Sequence, residues 1–396
     1  SHTHLSGTGI GDLFDITVMP VVGEVTYARG EENDPASGLW SYADRTREIT
    51  KPGYYSVPLV RYGITAELTA TERVGLHRYT FPASDAAAVV FDLENGGCWD
   101  KATDTGFRFS DDSTRIAGWR CSTGWAKNQE VYFVAEFSKP AKGISYLQPG
   151  EIDDSKMPRI AARYARVDFD TAEGAQGVVK VALSPVSIEG AKANLAAELP
   201  GWDFDATAAA ADKAWNDELS KVKIETEDET SKRMFYTALY HTMVAPSLFC
   251  DVNGDYRGAD GKVHENPGRD TYTTFSLWDT YRAAMPLMTV LHPERMPDII
   301  QTMLHIADEQ GRLPVWHLWG NETDCMVGNP GIVAVADAIV KGIGGFDREK
   351  AFEAIRKTAM NPDRGNGLRM EYGYIPCEMF NEAVAYDMEY ALADGA

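Results

Sequence analysis

The sequence is short of cysteine pairs, long apolar runs and positive charge, and each shortage excludes a class of protein. Its 5 cysteines are scattered and none stands in a CxxC pattern, which argues against a thiolate zinc site and leaves the redox compartment open. Without a run of about 18 apolar residues, the sequence offers no transmembrane segment. Lysine and arginine total 38 against 59 acidic residues. The resulting net charge of −21 argues against nucleic-acid binding and favours uncharged or cationic partners.

The two ends of the sequence also lack expected features. The chain begins at Ser1 without a methionine or a signal peptide, and it stops at Ala396 inside a helical pattern. We therefore expect it to be a fragment. Its 396 residues nevertheless suffice for two domains with a core each.

The first half of the chain is typical of β structure. Apolar and polar residues alternate in three clear runs, and turn-forming residues separate them: Ile64–Leu68, Val131–Ala135 and Val178–Leu183. Many short strands without helices between them favour two packed sheets. We predict a β-sandwich domain over residues 1–203.

After Ala206 the composition shifts towards helix formers, which predicts a helical linker over 204–228. Apolar residues at helical spacing then predict helices over 276–291, 293–309, 332–343 and 347–360, and another from 377 onward. Ser276 is the expected cap of the first of these, Pro286 its expected kink, and Gly311 the expected end of the second. Phe346-Asp347 is the expected cap of the helix that runs to about Met360. Helices in antiparallel pairs indicate that residues 229–396 form the first part of an α/α toroid.

Polar and aromatic side chains gather around the starts of these helices and in the tryptophan-rich loop 313–322, as in a pocket for a polyhydroxylated ligand. Asp279 lies in the first turn of its helix, where the macrodipole favours a carboxylate that can accept two hydroxyl hydrogen bonds. Trp278 can offer an apolar face to a sugar ring. The alternative is that Asp279 only caps its helix or pairs with Arg282.

Glu322 and Asn321 follow Gly320 and stand close in sequence to Trp316. A carboxyl group near tryptophans can be a general acid, and Asp279 with Glu322 could form the carboxylate pair of a glycosidase. Glu322 could instead pair with Arg312 or His317 and be structural.

Two further clusters leave two interpretations open. The opening loop, residues 2–9, carries His2, His4 and Ser6; its histidines could ligate a metal or only pack on a neighbour. The acidic residues near the end could bind Ca²⁺ or form a solvated face: Glu378, Glu382, Asp387 and Glu389.

Taken in order, these motifs resemble glycoside hydrolase family 92, the calcium-dependent exo-α-mannosidases. The segments that carry the resemblance are residues 2–12 (HTHLSGTGIGD), 277–282 (LWDTYR), 313–316 (LPVW), 320–328 (GNETDCMVG), 342–347 (GIGGFD), 374–376 (YIP) and 389–391 (EYA). They cover nearly the whole chain.

The resemblance implies an N-terminal β-sandwich, a helical linker and an (α/α)6 barrel that removes terminal α-mannose from glycans with inversion. It implies that Asp279 contacts the mannose, with Trp278, Glu322, Asn321, Trp316, His4 and Ser6 as further substrate-binding or site-shaping residues. It also implies Ca²⁺ as cofactor, mannose-containing glycans as partners, and a secreted, periplasmic or cell-surface location.

The sequence departs from the family pattern in one respect. The segments that carry the family's general acid, general base and calcium ligands do not occur, so we expect those residues beyond Ala396 and no catalytic residue in this chain. Glu322 is then a binding or site-shaping residue rather than the acid. The enzyme class expected is an exo-α-mannosidase of α-1,2 type. The alternatives are a non-catalytic carbohydrate-binding protein and an (α/α)6 sugar phosphorylase.

Overall fold

A computed structural model describes residues 1–5, 11–34, 36–96, 100–109, 113–149 and 162–396. The chain divides into two compact units. The first comprises Ser1–Gly124 and Glu130–His241, and the second comprises Trp125–Gln129 and Thr242–Ala396. In the described part of the chain, no helix has the length and apolar character needed to cross a membrane.

The first unit is built on antiparallel strands, as the alternating sequence predicts. These strands are β1 (Thr17–Val22), β2 (Ile49–Lys51), β3 (Tyr54–Leu59), β4 (Ile64–Ala70), β5 (Val74–Phe81), β6 (Ser84–Asp92), β7 (Lys101–Phe109), β8 (Arg115–Thr123), β9 (Gln129–Phe137), β10 (Gly143–Pro149), β11 (Ala162–Thr171) and β12 (Ala175–Ser184).

These strands form two sheets that pack face to face. Among the described residues, one sheet has the order β1-β6-β11-β10 and the other β2-β3-β4-β5-β12-β9-β8-β7. Phe91 of the smaller sheet stacks on Phe133 of the larger one with ring centroids 5.8 Å apart. The predicted β-sandwich is therefore confirmed.

The outer face of the larger sheet is covered by helices. The first unit contains α1 (Ile188–Glu198), α2 (Phe204–Leu219) and α3 (Glu229–His241). Leu195 of α1 and Phe204 of α2 pack in one apolar cluster with Leu76 and Val134 of the sheet. The expectation of strands up to about residue 200 missed α1, which Ser187 caps by accepting from the Gly190 amide. The proposed linker 204–228 contains α2.

The second unit is mainly helical, with short strands between the helices. Its strands are β13 (Ser247–Leu248), β14 (Tyr256–Arg257), β15 (Val263–His264), β16 (Tyr272–Thr273), β17 (Phe275–Ser276), β18 (Trp316–Leu318) and β19 (Asn321–Glu322). Its helices are α4 (Leu277–Thr280), α5 (Ala284–Leu291), α6 (Met296–Gln310), α7 (Pro330–Val340), α8 (Arg348–Ala359), α9 (Asn366–Tyr372) and α10 (Ala383–Asp394).

Two of the predicted helix boundaries hold. Gly311 ends α6 in the left-handed conformation with φ +89, and the Asp347 carboxylate caps α8 by accepting from the amides of Glu349 and Lys350. The apolar face of α6 supplies the core of the unit, where Ile299, Ile300 and Met303 are fully buried.

Three predictions about the helices are wrong. The helix predicted over 276–291 breaks into α4 and α5, and Pro286 is accommodated in the first turn of α5 instead of kinking a longer helix. The tryptophan-rich loop contains strands β18 and β19. The last helix starts at Ala383, so Glu378 and Glu382 precede α10 rather than share a face on it.

Candidate functional site

A small three-stranded sheet brings the candidate residues of the second unit together. Strand β18 pairs with β17 on one side, where Ser276 lies opposite Trp316, and with β19 on the other, where Leu318 lies opposite Asn321. Helix α4 begins directly after β17. Trp278 and Asp279 therefore stand next to the strands that carry Trp316, Asn321 and Glu322, as the sequence predicts.

Asp279 is the exposed carboxylate of this group. Its described partner is the Ser276 hydroxyl, which donates to the carboxylate instead of capping the α4 amides, so the predicted cap is wrong. Among the described residues Asp279 forms no salt bridge, and Arg282 turns elsewhere. A carboxylate with one neutral donor keeps acceptor capacity on the solvent side. Asp279 can therefore accept further hydrogen bonds from a ligand.

Trp278 carries a buried donor, its indole Nε1, without a hydrogen-bond partner among the described residues. The Arg282 guanidinium lies 4.5 Å from the centroid of the indole ring, and its Nε donates to the Trp278 carbonyl oxygen. Because buried donors are almost always satisfied, this N–H is a candidate donor to a ligand. At least one face of the ring is covered by Arg282.

Arg282 is held in this position from α10. Its Nη2 lies 2.7 Å from Oε1 of Glu389, while the Tyr281 hydroxyl donates to the other carboxylate oxygen at 3.0 Å. The hydrogen bond to Glu389 is the main reason why the pKa of Arg282 is raised, and Asp279 contributes less. The hypothesis that Asp279 pairs with Arg282 is therefore replaced by an Arg282–Glu389 pair.

Glu322 braces the backbone of the loop. Its side chain is 8% exposed, and its two carboxylate oxygens accept from the amides of Val315, Trp316 and Asp324 at 2.8, 2.8 and 3.0 Å. A general acid must carry a proton on an oxygen that faces the leaving group, and both oxygens here face N–H donors. The geometry supports a site-shaping role for Glu322 and does not support the acid of a carboxylate pair.

Asn321 fastens a distant segment to the loop. Its Oδ1 accepts from the Asn128 amide at 3.0 Å, and its Nδ2 donates to the carbonyl oxygens of Asn128 and Trp319 at 2.9 and 2.8 Å. Trp125, in the same short segment, lies against Trp316 with ring centroids 4.5 Å apart. Trp316 is 2% exposed, so Trp125 is the more accessible ring of this pair.

The loop around Glu322 has a strained backbone that two arginines hold. Trp319, Asp324 and Met326 have φ angles of 49°, 52° and 78°, which non-glycine residues rarely adopt. Asp324 forms ion pairs with Arg312 and Arg364, and Arg364 also donates to the carbonyl oxygens of Met326 and Gly328. Such strain persists only where the surroundings enforce it, and it concentrates at ligand-binding and active sites.

His317 lies beneath the loop and is 2% exposed. Burial lowers its pKa to about 3, so the imidazole is neutral at physiological pH. Its Nδ1 lies 3.4 Å from the Thr273 hydroxyl, and its Nε2 has no partner within the described residues. His317 contributes packing to the site and does not pair with Glu322.

The acidic residues of the second unit do not form a calcium site. Glu322 is engaged by backbone amides, Asp324 by two arginines, and Glu389 by Arg282. Asp387, the other acidic candidate on α10, pairs with Arg369. Within this unit, no three described ligating side chains converge on one point. Since Ca²⁺ takes 6–8 oxygen ligands, Asp279 alone does not fit it. Calcium ligation by the Glu378–Glu389 cluster is therefore not supported.

The N-terminal loop belongs to the first unit. His2 is enclosed, with Nδ1 2.6 Å from the Ile16 carbonyl oxygen and Nε2 2.9 Å from Nε2 of His77, and burial lowers its pKa to about 3. His4 packs against Phe14 with ring centroids 4.8 Å apart. This geometry agrees with packing rather than metal ligation by the two histidines. Ser6 lies outside the described residues.

Most of the residues that brace the loop were missed at the sequence level. Arg312 was named only as a possible partner of Glu322, and its Nη1 lies 4.0 Å from Oε2 of that residue. Arg364 is a single arginine in an unremarkable context, and Trp125 and Asn128 lie almost 200 positions before Asn321. The local signal in the sequence was that glycines enclose several polar residues at 320–328. This composition indicates an unusual backbone conformation, but it does not show which side chains hold that backbone.

Comparison with known proteins divides the chain at a different place, since the boundary between the two family models lies between residues 184 and 190, within the first compact unit. Residues 1–184 match the model of the glycosyl hydrolase family 92 N-terminal domain, and residues 190–396 match that of the family 92 catalytic domain. A curated fungal relative, an uncharacterized secreted glycosidase from Arthroderma benhamiae, is 24% identical over 422 residues, covering 96% of this chain and 49% of its own.

Two bacterial enzymes of known structure share the fold. A family 92 α-mannosidase from Bacteroides thetaiotaomicron superposes with a TM-score of 0.93 at 37% identity, covering 99% of this chain and 54% of its own. That enzyme has also been solved with mannoimidazole. An inverting family 92 mannosidase from the same organism gives 0.83 at 28% identity, with 96% and 51% coverage. The chain thus spans about half the length of these relatives.

Proposed function

Because the chain belongs to glycosyl hydrolase family 92, we propose that the protein hydrolyses terminal α-linked mannose from glycans. Two of its structural relatives are described as mannosidases, and one of them as inverting. We extend that inverting outcome to this protein. The net charge of −21 agrees with an uncharged sugar as substrate.

The open carboxylate of Asp279 is the observation that carries the proposal. The preceding residue, Trp278, has a buried indole Nε1 without a hydrogen-bond partner among the described residues. Vicinal sugar hydroxyls present the complementary pattern, since each hydroxyl donates one hydrogen bond and accepts others. Asp279 accepts from the mannose hydroxyls, and Trp278 donates to one of them.

Glu322, Asn321 and Trp316 act on the substrate indirectly. Glu322 and Asn321 hold the loop and the Trp125 segment by hydrogen bonds to backbone groups, and Trp316 supports the ring of Trp125. These residues fix the shape of the pocket wall, because precise placement of contacts is what orients a substrate for reaction. His4 and Ser6 remain predicted contributors from the N-terminal loop.

The general acid and base of the proposed reaction come from outside this chain, on the family resemblance. The same resemblance suggests Ca²⁺ dependence, with ligands outside this chain; the ion would hold and polarise sugar hydroxyls. We further propose specificity for α-1,2 linkages and a secreted, periplasmic or cell-surface location. The fungal relative's description as secreted supports that location.

Mannose release tests this function directly. The protein is expressed from its complete coding region and incubated with α-1,2-, α-1,3-, α-1,4- and α-1,6-mannobiose, with and without a calcium chelator. We expect fastest release from the α-1,2 disaccharide, inversion by NMR, and loss of activity with chelator that calcium restores. Chelator-insensitive activity would contradict the calcium requirement, and no release from any disaccharide would contradict the function.

A second candidate is a carbohydrate-binding protein without turnover. The observation that favours it is that, among the described candidate residues around strand β18, Asp279 is the one carboxylate with acceptor capacity left, whereas glycoside hydrolysis uses two. Saturable mannose binding without release in the same assay would select this alternative. Release that requires inorganic phosphate would instead indicate a phosphorylase.

A further inference from the structure

The β-sandwich of the first unit contains a cavity of about 360 Å³ that the proposed function does not use. It opens between the two sheets, with β5, β9 and β12 on one side and β6 and β11 on the other. Its rim is the turn from Ser138 to Lys142. This volume lies within the range of about 300–1,000 Å³ that is typical of small-molecule pockets.

The cavity exists because strand β12 carries small residues opposite the large residues of its hydrogen-bonded neighbour, strand β5. Ala175 lies opposite Phe81 and Gly177 lies opposite Tyr79, so these positions share the inner face of the sheet. A Cβ atom on Gly177 would reach the Phe81 ring at 3.5 Å, an ordinary contact. Since protein cores rarely leave voids larger than a water molecule, this gap is a specific feature of the sandwich.

The walls of the cavity are apolar. Phe81, Phe137 and Phe169 line it together with Val89 and Val179. The hydroxyl groups among the described lining residues are all engaged within the protein. That of Tyr79 lies 2.6 Å from Nδ1 of His77, that of Ser138 accepts from the Val178 amide at 3.0 Å, and that of Thr171 donates to the Pro82 carbonyl oxygen at 2.8 Å. A sugar needs several convergent polar groups, which this interior does not offer. An apolar tail or ring fits these walls better.

The rim is positively charged. Lys142 pairs with Asp170 at 2.7 Å, whereas Lys139 is exposed and forms no ion pair with another described residue. In a chain with a net charge of −21, an unpaired lysine at the mouth of an apolar cavity is a local exception. We propose that the cavity binds a small amphiphile, with its apolar tail between the sheets and its carboxylate head at Lys139.

Octanoate is the probe for this site, and octanol is the matched ligand without charge. Binding to the protein expressed from its complete coding region is measured by isothermal titration below the concentration at which octanoate forms micelles. We expect saturable 1:1 binding of octanoate and about fivefold weaker binding of octanol, since an exposed charge pair contributes a modest amount. Equal affinity for the two ligands would overturn the assignment of the carboxylate head.

Two variants test the location. Gly177→Leu fills the cavity and should abolish octanoate binding, while Gly143→Leu, at a position where a Cβ meets nothing within 4 Å, should preserve it. Lys139→Glu should weaken octanoate binding about fivefold or more but leave octanol binding unchanged, with Lys101→Glu as the exposed control. The site is refuted if octanoate does not saturate, if Gly177→Leu folds and still binds, or if mannose displaces octanoate. If Gly177→Leu does not fold, Lys139→Glu still tests the site, because unchanged octanoate binding in that variant would contradict the proposed contact with Lys139.

Discussion

Two networks of arginine and carboxylate, one in each unit, differ in whether a carboxylate at their edge is exposed to solvent. In the first unit, the fully buried Arg120 contacts Asp15 and Asp100 and donates to the Leu93 carbonyl oxygen at 2.9 Å, and Thr3 donates to Asp15. In the second unit, Arg312 and Arg364 pair with Asp324, and backbone amides donate to the neighbouring Glu322.

The difference lies at the edge of the second network. There Asp279 is exposed with one hydroxyl partner, and Trp278 keeps an unsatisfied N–H. An unsatisfied buried atom does not by itself separate the two networks, because Asp100 Oδ1 in the first also has no hydrogen-bond partner among the described residues. What is particular to the second unit is an exposed carboxylate beside a strained and heavily braced loop, and strain of this kind concentrates at ligand-binding sites. The comparison separates residues that hold structure from residues that contact substrate.

The largest expected effect comes from breaking the closed network. Arg120→Met should lower the free energy of unfolding by about 3–5 kcal/mol, because it leaves two carboxylates buried without a cation. Arg115→Met, which removes a more exposed pair with Glu136, should cost less than about 1 kcal/mol. Urea denaturation of both variants measures the difference. Similar losses in the two variants would show that burial of the Arg120 network is not what stabilises the unit.

Removing the brace of the loop should have the next largest effect. Glu322→Gln places an NH₂ group where one carboxylate oxygen accepts from backbone amides, and we expect a loss of about 2 kcal/mol. Glu353→Gln, on the exposed face of α8, should change the free energy of unfolding by less than about 0.5 kcal/mol. If Glu322→Gln kept full stability while losing mannose binding, the glutamate would be a substrate contact instead of a brace.

Lowering the pH should reduce the free energy of unfolding of the second unit through His317. The change per pH unit should be smaller than the loss expected for Glu322→Gln. The unfolded histidine binds a proton below about pH 6.5, whereas burial lowers the folded pKa to about 3. The stabilising contribution of the neutral ring is therefore complete above pH 6.5 and is lost as pH falls towards 3, at up to about 1.4 kcal/mol per pH unit. His317→Gln should flatten the decrease measured by urea denaturation between pH 7 and 4, and exposed His241→Gln should not. An unchanged slope in His317→Gln would contradict the assignment.

Local sequence patterns predicted the helices and strands, but they did not predict the long-range contacts that interrupt a helix. The strands followed from alternation, and the caps of α6 and α8 followed from Gly311 and Asp347, because these signals act within a few residues. The helix expected over 276–291 instead breaks where Tyr281 and Arg282 both bond to Glu389, more than 100 residues later. Such distant partners leave no local trace.

The candidate site shows the same limit. Asp279 could be named from its place at a helix start, and the family resemblance indicated the surrounding loop. The sequence could not show that the side chains of Glu322 and Asn321 form their hydrogen bonds with backbone groups. That distinction depends on the pairing of β18 with β17 and β19, and on Asn128, 193 residues away from Asn321.

Asp279→Asn gives the smallest expected change in stability and the most direct test of the account. Its kcat/KM for α-mannobiose is measured with the protein from its complete coding region, beside its free energy of unfolding and beside exposed Asp363→Asn as control. We expect kcat/KM to fall about 100-fold, since a charge-assisted hydrogen bond contributes about 1.5–3 kcal/mol, while stability changes by less than about 0.5 kcal/mol. Unchanged kcat/KM, or a loss of activity that only follows a loss of stability, would contradict the claim that Asp279 is kept open for the sugar.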